Sequence, residues 1–174
     1  MRKRNAAWGT GVFLICAPGV VAGGAPVWIA SRGTGPHWTE LPIAAGLGWA
    51  CIAAGTAVIL ESFARFVLDG RGTPAPIAPT EHLVVRGMYR WLRNPMYVAV
   101  LLVIAGESLL FADPLVLGYG VLVGIAVTSF VRWYEEPTLA KKFPAQYAAY
   151  RATVPGWWPK RPRAAVTSEA PNSP

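Results

Sequence analysis

Leu41 to Leu60 reads LPIAAGLGWACIAAGTAVIL and contains no Asp, Glu, Lys or Arg. About 20 apolar helical residues are enough to cross the roughly 30 Å hydrocarbon core of a bilayer. A surface helix of a soluble protein would instead carry polar residues along the face that meets water. The stretch therefore predicts a membrane-spanning α-helix, which we place at about residues 43–66.

Three further stretches also lack acidic and basic residues: Asn5 to Ser31, Asn94 to Gly106, and Pro114 to Val131. Asp113-Pro114 separates the last two and is typical of a tight turn, with an aspartate N-cap before a proline at the first helical position. We therefore predict an all-α polytopic membrane protein whose last two helices form a hairpin. Its four spans would be about residues 8–29, 43–66, 96–111 and 114–133, the third being short for a bilayer.

The distribution of basic residues predicts the orientation of these spans. The net charge is +7, and only 14% of the residues are charged, against roughly 25% in soluble domains. If the N-terminus is cytoplasmic, every Lys and Arg except Arg32 falls on the cytoplasmic side, which favours an N-in, C-in topology. Basic residues spread along membrane-flanking segments indicate contact with anionic lipid rather than with nucleic acid.

The first span has two interpretations. Arg2-Lys3-Arg4 followed by an apolar run is compatible with a signal peptide, and Gly23-Gly24-Ala25 is a weak cleavage site. Because the apolar run is longer than a signal peptide needs, we favour an uncleaved span. We expect the protein in the bacterial cytoplasmic membrane.

Isolated polar residues within the spans have simple structural interpretations. Cys16 and Cys51 lie in apolar stretches without a metal-ligand pattern, so we expect neither a disulfide nor a metal site. Glu61 and Arg65 have the i, i+4 spacing of a helical ion pair, although they can also line a polar cavity. We expect Glu107 to be a structural carboxylate with a partner.

Two polar clusters flank the predicted hairpin. Arg90, Arg93, Asn94 and Tyr97 precede it, and Glu135-Glu136 follows it. A hairpin brings its two ends together, so these clusters should be neighbours at the cytoplasmic face. Asn94-Pro95 has the pattern of a helix start, with Asn94 as N-cap, and a helix N-terminus favours an anion. Taken alone, these residue types are equally compatible with interfacial anchoring by a salt bridge.

The C-terminal part continues as a short helix and a tail. Phe143, Tyr147 and Tyr150 have the i, i+4, i+7 spacing of one helical face. Residues 164–174 are polar, contain proline and show no periodicity, so we predict a disordered tail. The remaining chain, residues 1–163, is expected to be one membrane domain.

A motif runs through both clusters: His82-Leu83-x-x-x-Gly87-x-Tyr89-Arg90-x-x-Arg93-Asn94-Pro95-x-Tyr97, then Glu135-Glu136, Tyr147-x-x-Tyr150 and Val154-Pro155. In this order, within a multi-span chain, it resembles the superfamily of isoprenylcysteine carboxyl methyltransferases and phospholipid N-methyltransferases. The resemblance covers about residues 80–160, whereas the first two spans match only in character.

The resemblance implies methyl transfer from S-adenosylmethionine to a lipophilic acceptor from the bilayer, with the loop and the short C-terminal helix enclosing the donor. Arg93 would hold the donor carboxylate, helped by the helix start at Pro95. Tyr89 and Tyr97 would face the sulfonium. The implied donor-binding residues are His82, Leu83, Val84, Gly87, Tyr89, Arg93, Pro95, Tyr97, Glu135 and Glu136. The implied catalytic residues are Arg93, Asn94, Tyr97 and Glu136.

Asn94 departs from the Arg-His-Pro sequence that is usual in this superfamily. Asparagine hydrogen-bonds but does not titrate near neutral pH as histidine does, so a base role at this position is in doubt. A thiolate or carboxylate acceptor needs no strong base, whereas an amine must arrive deprotonated. A prenylated cysteine carboxylate, another isoprenoid acid or thiol, and a phospholipid amine all remain open as acceptors. Two other functions remain open as well: non-catalytic binding of lipid or partners through the basic inner face, and, least favoured, a small transporter.

Overall fold

The computed structural model describes residues 15–33, 42–68 and 82–160, and these residues form helices and connecting turns without β-strand. The all-α prediction is therefore confirmed for the described part of the chain. The start of the predicted first span near residue 8, the side chain of Cys16 and the predicted tail lie outside the described residues.

The first described segment begins as a π-helix, Ile15–Gly24, and continues as α1, Ala25–Ala30. In a π-helix each carbonyl accepts from the residue five positions later, but for Val21 that residue is Pro26, which has no N–H. The hydroxyl of Tyr119 donates to the Val21 carbonyl instead, at 2.9 Å. This hydrogen bond ties the first segment to the last long helix.

Helix α2, Pro42–Leu68, packs along α3, Pro95–Phe111, with the two backbones in close contact. A Cβ at Gly48 would lie 2.9 Å from the Gly106 carbonyl oxygen, and a Cβ at Gly106 would lie 2.6 Å from the Gly48 carbonyl oxygen. Small residues permit this approach between apolar helices, where van der Waals contact replaces the hydrophobic effect. The two helices therefore pack closely against each other.

The predicted hairpin joins α3 to α4, Pro114–Phe130. Ala112 ends α3 in the left-handed conformation, with φ 51°, and the Asp113 carboxylate accepts a hydrogen bond from the Leu115 N–H at 2.8 Å. The predicted aspartate cap is thus confirmed. Ile104 of α3 and Val116 of α4 are among the most completely buried residues and belong to one hydrophobic core.

The last long helix extends further than predicted. After α4 the chain continues through a π-helical turn, Val131–Glu135, into α5, Glu136–Lys142, before α6, Pro144–Thr153. The continuous helix therefore ends at 142 rather than near 133, because no break occurs until Phe143-Pro144.

Two helices of the described chain are long and apolar enough to cross a membrane, Pro42–Phe66 and Pro114–Lys142. Pro18–Ala30 and Pro95–Phe111 are apolar but shorter. Large apolar side chains point outward from the long helices, for example Leu47 on α2 and Leu122, 66% exposed, on α4. Such outward apolar faces are typical of contact with lipid. The four-span arrangement and its orientation stay predictions.

Glu107 has one carboxylate oxygen without a hydrogen bond in the described interior. Glu107 is buried, but its Oε2 has no hydrogen-bond partner among the described residues. Tyr119 lies near this carboxylate, yet its hydroxyl is directed to the Val21 carbonyl. The Tyr119 hydroxyl therefore does not satisfy this oxygen, and the structural role of Glu107 stays a prediction.

Candidate functional site

Arg93 is the centre of the polar assembly at one end of the hairpin. Its Nη1 lies 3.0 Å from Oε1 of Glu136 and donates to the Tyr147 hydroxyl at 3.3 Å. Its Nε is buried and has no acceptor among the described residues. The two clusters that flank the hairpin therefore meet, as the sequence predicted, and one buried N–H of Arg93 is left for a ligand.

The two adjacent glutamates have different surroundings. Glu136 pairs with Arg93 and lies 3.9 Å from the exposed Arg151. Glu135 instead accepts a hydrogen bond from the Tyr97 hydroxyl at 2.9 Å, and no basic side chain of the described chain pairs with it. A half-buried carboxylate without a counter-ion attracts a cation. Glu135, rather than Glu136, is thus the anionic group suited to a cationic ligand.

Tyr89 belongs to a 3₁₀ turn, Gly87–Arg90, and is buried, at 7% exposure. Its ring packs edge-on against Phe66 of α2, with centroids 5.7 Å apart, and its carbonyl accepts from the Tyr150 hydroxyl at 2.7 Å. Burial raises the pKa of Tyr89 well above its ordinary value, and the negative charge of nearby Glu135 adds to this. Tyr89 therefore forms part of the wall beside Glu135 and keeps its proton.

Helix α6 contributes two tyrosines to the same assembly. Tyr147 contacts Arg93, and Tyr150 holds the turn at Tyr89. Burial raises the pKa of both hydroxyls; Glu136 raises that of Tyr147 further, whereas Arg93 partly opposes the rise. The predicted shared face of Tyr147 and Tyr150 is confirmed, although Phe143 precedes the helix instead of lying within it.

The predicted helix start is confirmed, because α3 begins at Pro95 with Asn94 before it. Asn94 occupies the N-cap position of α3, but its side chain makes no capping hydrogen bond. Its Nδ2 donates to the Gly156 carbonyl at 3.1 Å, next to backbone hydrogen bonds from Arg93 N to Pro155 O and from Asn94 N to Gly156 O. The C-terminal segment therefore lies against the loop before α3. Its carbonyls accept from the backbone amides of Arg93 and Asn94, which the local sequence pattern would leave free to bind an anion.

The remaining predicted residues lie at the edge of this assembly. Val84 is buried, Leu83 is half-buried and His82 is exposed. Pro95 is buried at the start of α3, and Gly87 adopts a left-handed conformation with φ 61°. The structure brings together Arg93, Tyr97, Tyr89, Glu135 and Glu136, while no described contact joins His82 to them.

Gly156 is a residue that the sequence reasoning missed. A Cβ at this position would lie 3.2 Å from Nη2 of Arg93, so a side chain would crowd one edge of the guanidinium. The Val154-Pro155 pattern next to it was the only available signal. An open groove of about 390 Å³, partly lined by Tyr147 and Arg151, lies between α5 and α6.

A comparison with known families identifies the chain. The phospholipid methyltransferase family matches residues 43–146, a range that runs from α2 into α6 and includes Arg93, Tyr97, Glu135 and Glu136. The chain belongs to this family. It is accordingly a membrane methyltransferase, of a family that generally uses S-adenosylmethionine as the methyl donor. No curated protein and no solved structure matches the chain.

Proposed function

We propose that the protein transfers a methyl group from S-adenosylmethionine to a lipophilic acceptor at the cytoplasmic face of the bacterial inner membrane. The observation that carries this proposal is that two groups of opposite charge each lack one partner in the described chain. Arg93 has a buried N–H without an acceptor, and Glu135 has a carboxylate without a basic partner in the described chain. The donor contains both a carboxylate and cationic groups, so the two groups fit it.

The Nε–Nη2 edge of Arg93 is suited to the donor carboxylate. Glu136 and Tyr147 both contact Nη1 and so orient the planar guanidinium. Neither of them contacts the opposite edge, which is formed by Nε and Nη2. Two parallel N–H donors match a carboxylate in a bidentate arrangement. Gly156 carries no side chain to cover that edge.

Glu135, Tyr89 and Tyr97 are suited to the cationic end of the donor. The Tyr97 hydroxyl fixes one oxygen of Glu135, and the buried Tyr89 forms the adjoining wall. A carboxylate beside aromatic rings attracts an ammonium or a sulfonium through charge and through cation–π contact. Donor binding in this proposal therefore uses Arg93 at one end and Glu135 at the other.

The bound donor supplies an activated methyl group, and the residues of the chain supply position and exclusion of water. Displacement at that carbon needs alignment with the acceptor and a site closed to water. The Asn94 amide is engaged with Gly156, so we assign Asn94 a positioning role and no part in proton removal. A carboxylate or thiolate acceptor fits a site without a base at this position.

The acceptor in this proposal is a prenylated cysteine carboxylate or another isoprenoid or lipid that reaches the site from the bilayer. The outward apolar faces of α2 and α4 support contact with lipid. Exposed basic residues at the site end, Arg90 and Arg132 among them, support the N-in, C-in orientation.

Labelled methyl transfer tests the proposal. Purified protein in lipid vesicles would receive donor labelled in its methyl group together with a prenylated cysteine, an isoprenoid acid or a phospholipid amine. We expect label in the prenylated cysteine carboxylate or the isoprenoid acid, and loss of that label in Arg93→Ala. Matched Arg90→Ala, at an exposed position of the same loop, should keep it. Absence of label from every acceptor, with donor bound, would contradict the proposed acceptor class.

A further inference from the structure

One carboxylate joins the C-terminal end of α2 to the 3₁₀ turn that carries Tyr89. Oε1 of Glu61 accepts from Nε of Arg65 at 2.9 Å, and Oε2 of Glu61 accepts from the backbone N–H of Met88 at 3.4 Å. The ion pair alone is an i, i+4 pair that is about one-third exposed, and such pairs stabilise little. The contact with Met88 gives the carboxylate a second role, because it reaches a different segment of the chain.

Gly87 shows how closely the turn lies against this carboxylate. Its φ of 61° is unfavourable for residues with a side chain. A Cβ at Gly87 would also overlap the carboxylate of Glu61 and lie 2.8 Å from Nε of Arg65. Glycine is thus needed at this position both for the left-handed backbone and for the approach of Glu61.

The same end of α2 surrounds Tyr89, two residues after Gly87. Phe66 packs edge-on against the Tyr89 ring. Ser62, on the same end of α2, is fully buried, and its Oγ has no hydrogen-bond partner in the described chain. On the opposite side, the Tyr150 hydroxyl holds the Tyr89 carbonyl. The turn is therefore held between α2 and α6, and Glu61 provides the hydrogen bond from the α2 side.

We propose that Glu61 is a positioning residue for methyl transfer. By accepting from Met88 it holds the turn so that Tyr89 stays beside Glu135, and it raises donor affinity without touching the donor. The inference rests on the proposed function, since it concerns the same donor site. It extends the site to α2, outside the segment of about residues 80–160 that carries the sequence motif.

Donor affinity in three variants tests this role. Glu61→Ala removes the acceptor for Met88 and should weaken S-adenosylmethionine binding about tenfold. Glu61→Gln keeps an acceptor oxygen and should stay within about threefold of the unaltered protein. Thr56→Ala, at an exposed position of α2, is the matched control and should leave the affinity unchanged. Equal affinity in Glu61→Ala and the unaltered protein would overturn the proposal.

A second substitution distinguishes direct coupling from general destabilisation. Gly87→Ala should weaken donor binding strongly when Glu61 is present, because the methyl group overlaps its carboxylate. In the Glu61→Ala background the same substitution should reduce donor affinity less, since only the backbone strain at residue 87 remains. Additive effects of the two substitutions would contradict a direct contact.

Hydrogen exchange gives a readout that does not depend on the donor. In Glu61→Ala the amides of Met88 and Tyr89 should exchange faster, while those in the centre of α2 keep their rates. If the unaltered protein fails to bind the donor, the proposed function is wrong, and the exchange result still decides whether Glu61 holds the turn. Unchanged exchange at Met88 would overturn the positioning role in either case.

Discussion

Nη1 of Arg93 lies 3.0 Å from Oε1 of Glu136, and the two side chains are only 14% and 20% exposed. Arg93 precedes α3 and Glu136 follows α4, so the hairpin between them creates the contact. Because Glu136 and Tyr147 both engage Nη1, the guanidinium has one orientation, and its unsatisfied Nε belongs to the opposite edge. The pair therefore orients Arg93, while Glu135 remains available to a cation.

The two glutamates should respond differently to removal of their charge. Glu135→Gln keeps an acceptor for Tyr97 but loses the anion that we propose for the cationic end of the donor, so donor affinity should fall about ten- to a hundredfold. Thermal stability should change little, since Glu135 has no ion pair to lose in the described chain.

Glu136→Gln, the matched variant, should instead lower thermal stability together with donor affinity, because it leaves the shielded Arg93 without its counter-charge. Calorimetric titration and thermal unfolding of the two variants check this difference. Identical profiles for both would contradict the division of roles.

Asn94→Ala should loosen the C-terminal segment. The substitution removes the hydrogen bond to the Gly156 carbonyl, although the backbone hydrogen bonds at Arg93 and Asn94 remain. We expect faster amide exchange over residues 155–160 and a several-fold loss of donor affinity, corresponding to about one hydrogen bond. Protection unchanged in that segment would show that Asn94 does not hold it.

Sequence reasoning was most successful where short-range patterns determine the structure. The apolar stretches predicted the helices, and Asp113-Pro114 predicted the cap and the turn that bring Arg93 to Glu136. The two ends of a hairpin must lie close together, so the sequence alone predicted that the residues flanking it are neighbours.

The contacts that the sequence did not predict involve segments distant in the chain. Asn94 has the local pattern of an N-cap, yet a carbonyl at Gly156 competes successfully for its side chain. Glu61 has the local pattern of a helical ion pair, and its contact with Met88 is visible only once the loop is folded. When a polar side chain can bond either to a neighbour in sequence or to a distant segment, the neighbouring residues alone do not predict all of its partners.

Gly106→Leu should destabilise the helical bundle. The new side chain would meet the Gly48 carbonyl oxygen, which lies 2.6 Å from the Cβ position, and overpacking of this kind costs about 1–3 kcal/mol. Gly118→Leu on α4 is the matched control, because nothing lies within 4 Å of its Cβ position. Thermal unfolding in detergent should show a lower midpoint for the first variant only. Equal midpoints would contradict the close contact of α2 and α3.

Alkaline pH should weaken the assembly around the turn. Burial raises the pKa values of Tyr89, Tyr147 and Tyr150 in the folded protein, whereas unfolded tyrosine titrates near pH 10. The folded state therefore binds these protons more tightly, and its stability is full below about pH 10 and falls as the pH rises further. Tyr150→Phe removes one of these protons and should make the fall shallower. An unchanged pH slope in that variant would count against the buried site of Tyr150.

Calorimetric titration of the purified protein in detergent with S-adenosylmethionine tests the central claim most directly. We predict saturable binding by the unaltered protein and by Arg90→Lys, and loss of about a hundredfold or more in affinity for Arg93→Lys, because lysine cannot replace the bidentate guanidinium edge. Absence of binding by the unaltered protein, or full affinity in Arg93→Lys, would contradict the assignment of this assembly as the donor site.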